Sequence, residues 1–373
     1  LDSKILFSTY VYPAWHTVPE RCALYGPSWT EWELFNTRSV FFPDQKLTPR
    51  PLWGFYDDTE EKDVLRQVDT ALEHGIDIFI YLYYWSPSGV DLEPALETFI
   101  RVSETSPMHF ALIWSPHRPR FEVIRPLEKK FDYELNREID MDEQAFKDFI
   151  VYTCEKFFSR QNYLLIDNRP VLYLYKYFEF VRKLGDQKFS KWVRFAHEYL
   201  KSKGFDGLYL VASSEKDPET FSDTRGLGFS ATTSYVLLPD FHTGPPIQDY
   251  ATQLSKKQIQ KVAYQEMAHL PYIPSVPVGF DASSRGEAGK KPPIRLGTED
   301  VYPWFPIVKN RSLEAFSECL ENACDFVLRR GGNNSIVNIA SWNEWTQQHY
   351  LEPDIEGGYE YLQTVKKLKE KKK

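Results

Sequence analysis

Residues 77–85 read Asp-Ile-Phe-Ile-Tyr-Leu-Tyr-Tyr-Trp. After the aspartate, every side chain through Trp85 is apolar or aromatic. A strand with one wet face alternates apolar with polar. An unbroken run of this kind, entered through the helix stop His74-Gly75, is the signature of a strand covered on both faces, as in a parallel sheet sheathed by helices. The run is also too short to cross a bilayer, which needs about 20 residues as a helix.

Seven further runs of this character lie on either side: Ile5–Pro13, Phe110–Ser115, Pro170–Tyr175, Leu208–Ser213, Phe229–Val236, Tyr272–Phe280 and Ser335–Trp342. Helical stripes separate most of them. Val64, Leu65, Val68, Ala71 and Leu72 form one; Leu92, Leu96, Phe99 and Ile100 the next. Phe146, Phe149, Ile150, Cys154 and Phe157 follow, then Phe189, Trp192, Val193, Ala196 and Leu200, then Leu313, Phe316, Leu320, Cys324 and Val327. All recur at i, i+3, i+4, i+7. The segment 247–268 is helical but less regular, and the lysine-rich end, about 359–373, reads as a solvated helix or frayed tail. Asp167-Asn168 marks a hairpin before the fourth strand. Strand and helix in eight repeats predict an α/β chain, a single (β/α)8 TIM barrel over residues 1–373. The long connections, about 17–59, 116–143, 214–225 and 282–311, all follow strands. In such barrels that face carries the active site.

Composition agrees with a soluble, foldable chain: 42% hydrophobic, 26% charged, and 16% aromatic, the last well above what a generic core needs. The net charge of −8 argues against a nucleic-acid partner, whose affinity would come mainly from phosphate neutralisation. The four cysteines show no CxxC spacing and are expected as free thiols in or near the core. The histidines form no HxH or HExxH pattern, so no metal or other cofactor is expected. The chain starts on Leu with no apolar leader behind it, which points to a processing or cloning boundary.

Aromatic and polar side chains gather where the strands end. These are Tyr12, Trp15 and His16; Tyr84 and Trp85; Trp114, His117, Arg118 and Arg120; Tyr173, Tyr175 and Lys176; Thr233 and Tyr235; Phe280 and Asp281; then Trp342, Asn343, Glu344, Trp345 and Gln347. A pyranose offers an apolar C–H face to a ring and hydroxyls to polar groups. Each tryptophan alone also fits core packing, but the cluster predicts a carbohydrate site made of Tyr12, Trp15, His16, Trp85, Trp114, His117, Arg118, Tyr235, Asp281, Trp342, Asn343 and Trp345. Glycoside hydrolysis uses paired carboxyl groups. Glu344, set between Asn343 and Trp345, is the best single candidate, because a carboxylate against an indole is desolvated and its pKa rises.

The stretch Ser341-Trp-Asn-Glu-Trp-Thr-Gln-Gln-His-Tyr-Leu-Glu-Pro-Asp354 resembles the C-terminal signature of the glycoside hydrolase family 99-like proteins, also called WbsX-like. Tyr10–His16, Pro51–Asp57, His74–Ile76 with Phe79–Tyr83, and Leu164–Pro170 are similar to that family's earlier blocks, in order along nearly the whole chain. The resemblance implies a (β/α)8 barrel, retaining hydrolysis of a poly- or oligosaccharide, and a periplasmic or secreted bacterial enzyme, although few cysteines suit the cytosol equally. It also implies a catalytic pair in an Asn-Glu-Trp-x-Glu pattern. The first Glu would deprotonate the sugar 2-hydroxyl, which attacks C1 to give an anhydro-sugar; the second would be the acid/base on the leaving oxygen. The first role falls on Glu344 and the second on Gln347.

Gln347 departs from that pattern, since an amide neither donates a catalytic proton nor acts as a base. Three readings follow: an inactivated variant, a natural enzyme using another acid such as His349, Glu352 or Asp281, or a non-catalytic carbohydrate-binding barrel. Arg118, Arg120, Arg285, Lys290, Lys291 and Arg295, in the loops after strands three and seven, suggest an anionic glycan. A glycosyltransferase of polysaccharide biosynthesis is the alternative function. Its nucleotide-sugar site would call on a triplet such as Asp140-Met-Asp142, which also fits an ordinary helix start.

Overall fold

A computed structural model describes residues 5–40, 42, 44–119, 139, 141–214, 218–241, 244–258, 260–286, 303–331 and 335–372. Its parallel strands are β1 (Leu6–Val11), β2 (Ile78–Ser86), β3 (His109–Trp114), β4 (Arg169–Tyr175), β5 (Tyr209–Ser213), β6 (Ala231–Thr233), β7 in two pieces (Tyr272–Ile273 and Ser275–Pro277) and β8 (Ile336–Ala340). Each pairs with the next in parallel from β1 to β6. The first piece of β7 pairs with β6 and the second with β8, which returns to β1 and closes the ring. This is a (β/α)8 barrel, and each run expected to be a strand is one.

The run Ile78–Trp85 shows why both faces are apolar. Successive side chains of a strand point to opposite faces. Ile78, Ile80, Leu82 and Tyr84 fill the barrel interior with Leu6, Tyr10, Ile113, Tyr173 and Val211. Phe79, Tyr81, Tyr83 and Trp85 point outward and pack under the helical layer with Phe99, Phe149 and Phe157. Asp77, at the head of the run, accepts from the Phe7 amide at 2.7 Å and pairs with Lys369 of the last helix, Glu360–Lys372. That helix is docked rather than frayed: Lys371 and Lys372 pair with Glu321 and Asp325 of helix Leu313–Arg330.

A polar layer crosses the barrel interior above the apolar pair Leu6 and Ile336. Asn338 of β8 accepts from Ser8 and donates to Tyr10 Oη at 2.9 Å and Thr233 Oγ1 at 3.2 Å. The Asp167-Asn168 turn is as expected, both residues having positive φ between paired strands. The cysteines are free. Among the described residues no helix is long and apolar enough to cross a membrane.

Candidate active site

Strand β8 ends at Ala340, and the chain crosses the barrel mouth through Asn343. The Asn343 side chain locks onto β1's extension in both directions. Its Oδ1 accepts from the Tyr12 amide at 2.7 Å, and its Nδ2 donates to the Tyr12 carbonyl at 3.1 Å. The next residue, Glu344, is therefore fixed over the β8–β1 seam. A tight return follows, in which Gln348 takes positive φ and Glu344 lies opposite His349 in a short antiparallel ladder.

Glu344 is buried. Its Oε2 has no hydrogen-bond partner among the described residues and stands 3.6 Å from Arg285 Nη2. Burial pushes its carboxyl up to about 7; Arg285 opposes the rise and Glu31 adds to it. The carboxyl can thus give or take a proton near neutral pH, as acid/base work requires.

Arg285 is held by a buried relay. Glu31 Oε1 accepts from Arg285 Nη2 at 2.7 Å, and Glu31 Oε2 lies 3.0 Å from Arg21 Nη2 and accepts from Tyr12 Oη at 2.9 Å. Thr346 donates to Glu31 and accepts from Arg285 Nε at 2.8 Å. Burial alone would raise the Glu31 carboxyl, but the Arg285 and Arg21 guanidiniums outweigh it and hold it down at about 2. Positive and negative groups alternate from Arg21 through Glu31 and Arg285 to Glu344. The aromatic wall above is phenolic. Tyr235 packs in tilted contact between Tyr10 at 4.6 Å and Tyr175 at 4.7 Å, and burial, with Glu344 next in effect, pushes its hydroxyl well above the usual phenol range.

A second buried carboxyl sits behind this turn. Glu352 accepts from Trp345 Nε1 at 2.5 Å and Tyr56 Oη at 2.8 Å. Burial raises it to about 8 against those hydrogen bonds. A carboxyl with a raised folded-state pKa stabilises the fold fully below its unfolded value, near 4.3, and that stability is lost as pH rises through about 8. The shift corresponds to a few kcal/mol, at about 1.4 kcal/mol per unit. Thermal unfolding midpoints should therefore fall between pH 5 and 9, and Glu352→Gln should flatten that fall. An equally steep fall in the variant would show that Glu352 is not its source.

A family model described as Glycosyltransferase WbsX matches residues 7–292 and 302–365. The chain belongs to the WbsX family. The uncharacterized protein WxcX of Xanthomonas campestris pv. campestris is 23% identical over 96% of this chain, and the chain spans 48% of that relative's length. Among solved structures, the GH99 endo-α-mannosidase of Bacteroides thetaiotaomicron superposes with a TM-score of 0.59 at 12% identity, covering 98% of this chain and 97% of that one. A glycoside hydrolase-like protein superposes at 0.61 with 14% identity, covering 98% and 94%. At these identities the likeness is one of fold.

In this WbsX barrel the structure brings together Glu344, Asn343, Tyr12 and Tyr235 from the expected set. The indoles go elsewhere. Trp85 and Trp114 belong to the outward phase of their strands; Trp114 stacks on Phe149 at 3.6 Å and donates to the Trp85 carbonyl at 3.1 Å. Trp342 packs on Phe79 and donates to Gln67 at 3.1 Å, also on the helix side. Trp15 stands over Trp32 at 3.9 Å and donates to the Asn343 carbonyl at 3.1 Å, while Trp345 stacks on Tyr350 at 3.8 Å. All five are buried, so they offer no indole platform and instead pack the barrel wall and brace the Glu344 turn.

His16 pairs with Asp58 at 2.6 Å, His117 with Glu179 at 2.8 Å, and Arg118 makes a two-point contact with Asp91 at 2.7 and 2.9 Å. Asp281 is buried and accepts from Gln45 and the Ser283 amide. The Gln347 carbonyl accepts from the Asp281 amide at 2.7 Å. Arg285, expected to meet an anionic glycan, is occupied by Glu31; Arg120, Lys290, Lys291 and Arg295 lie outside the described residues. Of the triplet Asp140-Met-Asp142, Asp142 caps helix Glu143–Thr153 by accepting from the Ala145 amide at 2.8 Å, and Asp140 lies outside the described residues. Sequence reading missed Glu31, Arg21 and the relay role of Arg285. The signal for Glu31 and Arg21 was weak: isolated charges within an aromatic-rich loop.

Proposed function

We propose that residues 1–373 form a single catalytic barrel that cleaves or transfers glycosidic bonds of a poly- or oligosaccharide. The observation that carries this reading is Glu344, a buried carboxyl at the barrel mouth that is poised near neutrality and has one oxygen unbonded. The fold likeness to an endo-α-mannosidase supports it. In the proposed sequence, Glu344 takes the proton of a sugar 2-hydroxyl, and that oxygen attacks C1 as the C1–O bond to the leaving sugar breaks. Water then opens the anhydro ring with net retention: Glu344 returns its proton to the 2-oxygen, and the proton lost by the water balances the one taken up by the leaving oxygen. The leaving oxygen needs a proton of its own, which Gln347 cannot supply. We infer that this deficit makes the chain a slow or inactivated catalyst. A periplasmic or secreted location belongs to the same reading.

The family description favours a second reading, glycosyl transfer, in which a sugar hydroxyl takes the place of water in the ring-opening step.

The test is digestion of a panel of oligosaccharides by this chain and by its Gln347→Glu variant, with products identified. As a base, Glu344 must be ionised, so turnover should rise with pH through about 7. Glu344→Gln should abolish both the turnover and that limb. Released sugars support hydrolysis and lengthened ones transfer. Neither product from either protein would leave a carbohydrate-binding barrel as the better account.

A further inference from the structure

The connection after β1 and the chain beyond the Glu344–Tyr350 turn meet along an open groove of about 520 Å³. Main chain laces the two together. The Leu52 amide donates to the Pro353 carbonyl at 2.8 Å, and the Ile355 amide to the Arg50 carbonyl at 3.0 Å. Gln348 of the turn donates to the Lys46 carbonyl at 2.7 Å. The groove is thereby tied to the segment that carries Glu344.

Three cations line it: Arg38, Lys46 and Arg50. Glu356 is the one carboxylate of that lining among the described residues; it is exposed and joins no ion pair there. Aromatic faces place the arginines. Arg38 lies over Phe35 at 4.7 Å and donates to the Phe35 carbonyl at 2.5 Å, while Arg50 lies over Phe55 at 5.3 Å. The two rings pack with centroids 5.3 Å apart, which draws the two guanidiniums toward one another. Burial first, and then the charge of Arg50, pull the Arg38 guanidinium below its usual pKa, and no carboxylate opposes them. Arg21 and Arg285 are answered by Glu31; Arg38, Lys46 and Arg50 pair with no acid among the described residues. Arg38 Nε is buried without a hydrogen-bond partner. Thr48, also in the lining, is buried, and its hydroxyl makes no hydrogen bond among the described residues. Phe55 stacks on Trp32 at 4.8 Å, and Trp32 stands 6.3 Å from Trp345, so ring packing carries the arginine pair back to the Glu344 turn.

Three cations against one carboxylate leave two positive charges unmet in the lining. A phosphate monoester carries about −1.5 to −2 at neutral pH and offers three strong acceptor oxygens. A carboxylate would leave one of the two charges unanswered. Guanidinium and ammonium groups both bind phosphate through charge-assisted hydrogen bonds. Pro49 and the exposed Ile355 add an apolar edge to the groove.

We propose that this groove binds a phosphate group carried on a sugar unit of the glycan, held by Arg38, Lys46, Arg50 and the Thr48 hydroxyl, with the sugar ring against Pro49 and Ile355. The proposal rests on the reading of the chain as one that acts on a glycan, and it makes that glycan phosphorylated.

The test is ligand-observed NMR titration of the full chain with glucose 6-phosphate, glucose and inorganic phosphate, beside co-sedimentation with phosphatidylglycerol vesicles. Glucose 6-phosphate should bind about 10-fold more tightly than either glucose or inorganic phosphate, and the vesicles should not carry the chain down. Its binding should weaken about 10-fold in Arg50→Gln, the worth of one charge-assisted hydrogen bond. Arg50 is exposed, so that variant keeps the fold. Arg38→Gln combined with Arg50→Gln should abolish binding, and Glu356→Gln, which removes the opposing charge, should tighten it. The proposal is overturned if glucose 6-phosphate binds no better than glucose, if both arginine variants bind it as the parent does, or if Glu356→Gln weakens it. Inorganic phosphate bound as tightly as the sugar phosphate would make this a free-anion site. Vesicle binding that glucose 6-phosphate does not displace would make it a lipid site. Either result also overturns the proposal. No turnover enters this readout, so its failure leaves Glu344 catalysis standing, and an oligosaccharide panel that does not react leaves the titration equally decisive.

Discussion

Gln347→Glu should raise turnover on a cleavable glycan by about 10² to 10⁴-fold, the range that a general acid supplies. The amide and the carboxyl have nearly the same shape, so the change adds a titratable proton with little change in volume. Position 347 ends the turn Trp345–Gln347, three residues beyond Glu344, and its carbonyl is anchored by the Asp281 amide at 2.7 Å. That anchor involves only main chain and survives the substitution. Initial rates of sugar release by the two proteins, compared at equal folded fraction, decide the matter. Equal rates on a substrate that both cleave would mean that another group protonates the leaving oxygen, and attention would shift to His349, Glu352 and Asp281. Of these, burial and Arg311 hold His349 down to about 3, so it is neutral at working pH and a poor acid.

Glu31→Ala should cost about 3–5 kcal/mol of stability, the usual penalty for removing one partner of a buried ion pair. Glu31 and Arg21 are completely buried and Arg285 nearly so, and Glu31 is the anion between them. Without it, Arg21 keeps the Ala14 carbonyl and Tyr12 Oη, but neither carries a full charge. The same change should alter catalysis. Glu31 raises the Glu344 carboxyl and also occupies Arg285, so its loss removes a repulsion and leaves Arg285 to Glu344. Both effects lower the Glu344 pKa, and the alkaline rise in turnover should move to lower pH. Denaturant unfolding and a pH–rate profile in the Gln347→Glu background measure the two consequences. A stability loss under about 1 kcal/mol with an unmoved profile would remove the relay from the account.

The pH dependence of stability has a matching acid side. Glu31 is depressed to about 2, so its contribution is complete above the unfolded carboxylate range and is lost as pH falls toward 2. Glu352 acts in the opposite direction, through about 8. The two together place the most stable range between them.

The barrel was legible because a strand sheathed on both faces has to be apolar at every position, and Ile78–Trp85 has no other economical reading. Helix stops such as His74-Gly75 and the recurrence of the pattern then gave the closed ring. The carboxyl at position 344 was legible too, through its Asn-Glu-Trp setting. The misplacement of Trp85 and Trp114 has a definite cause. Each lies at a strand end, where chain position suggests the mouth, but strand parity assigns it to the helix side with Phe79, Tyr81 and Tyr83. Counting in twos from Ile78 would have selected Tyr84 for the interior instead.

Sequence alone thus determined the elements and their order, because burial periodicity is written along the chain, and its local motif singled out Glu344 as the carboxyl to test. Tertiary structure alone decided what surrounds that carboxyl. Arg21, Glu31, Arg285 and Glu344 come from three separate connections, the first more than 250 positions from the other two, and no periodicity links them. Their charges acquire meaning only when barrel closure removes them from water together. At that point Coulomb attraction, no longer screened by solvent, fixes which guanidinium faces which carboxylate and leaves Glu344 near neutrality.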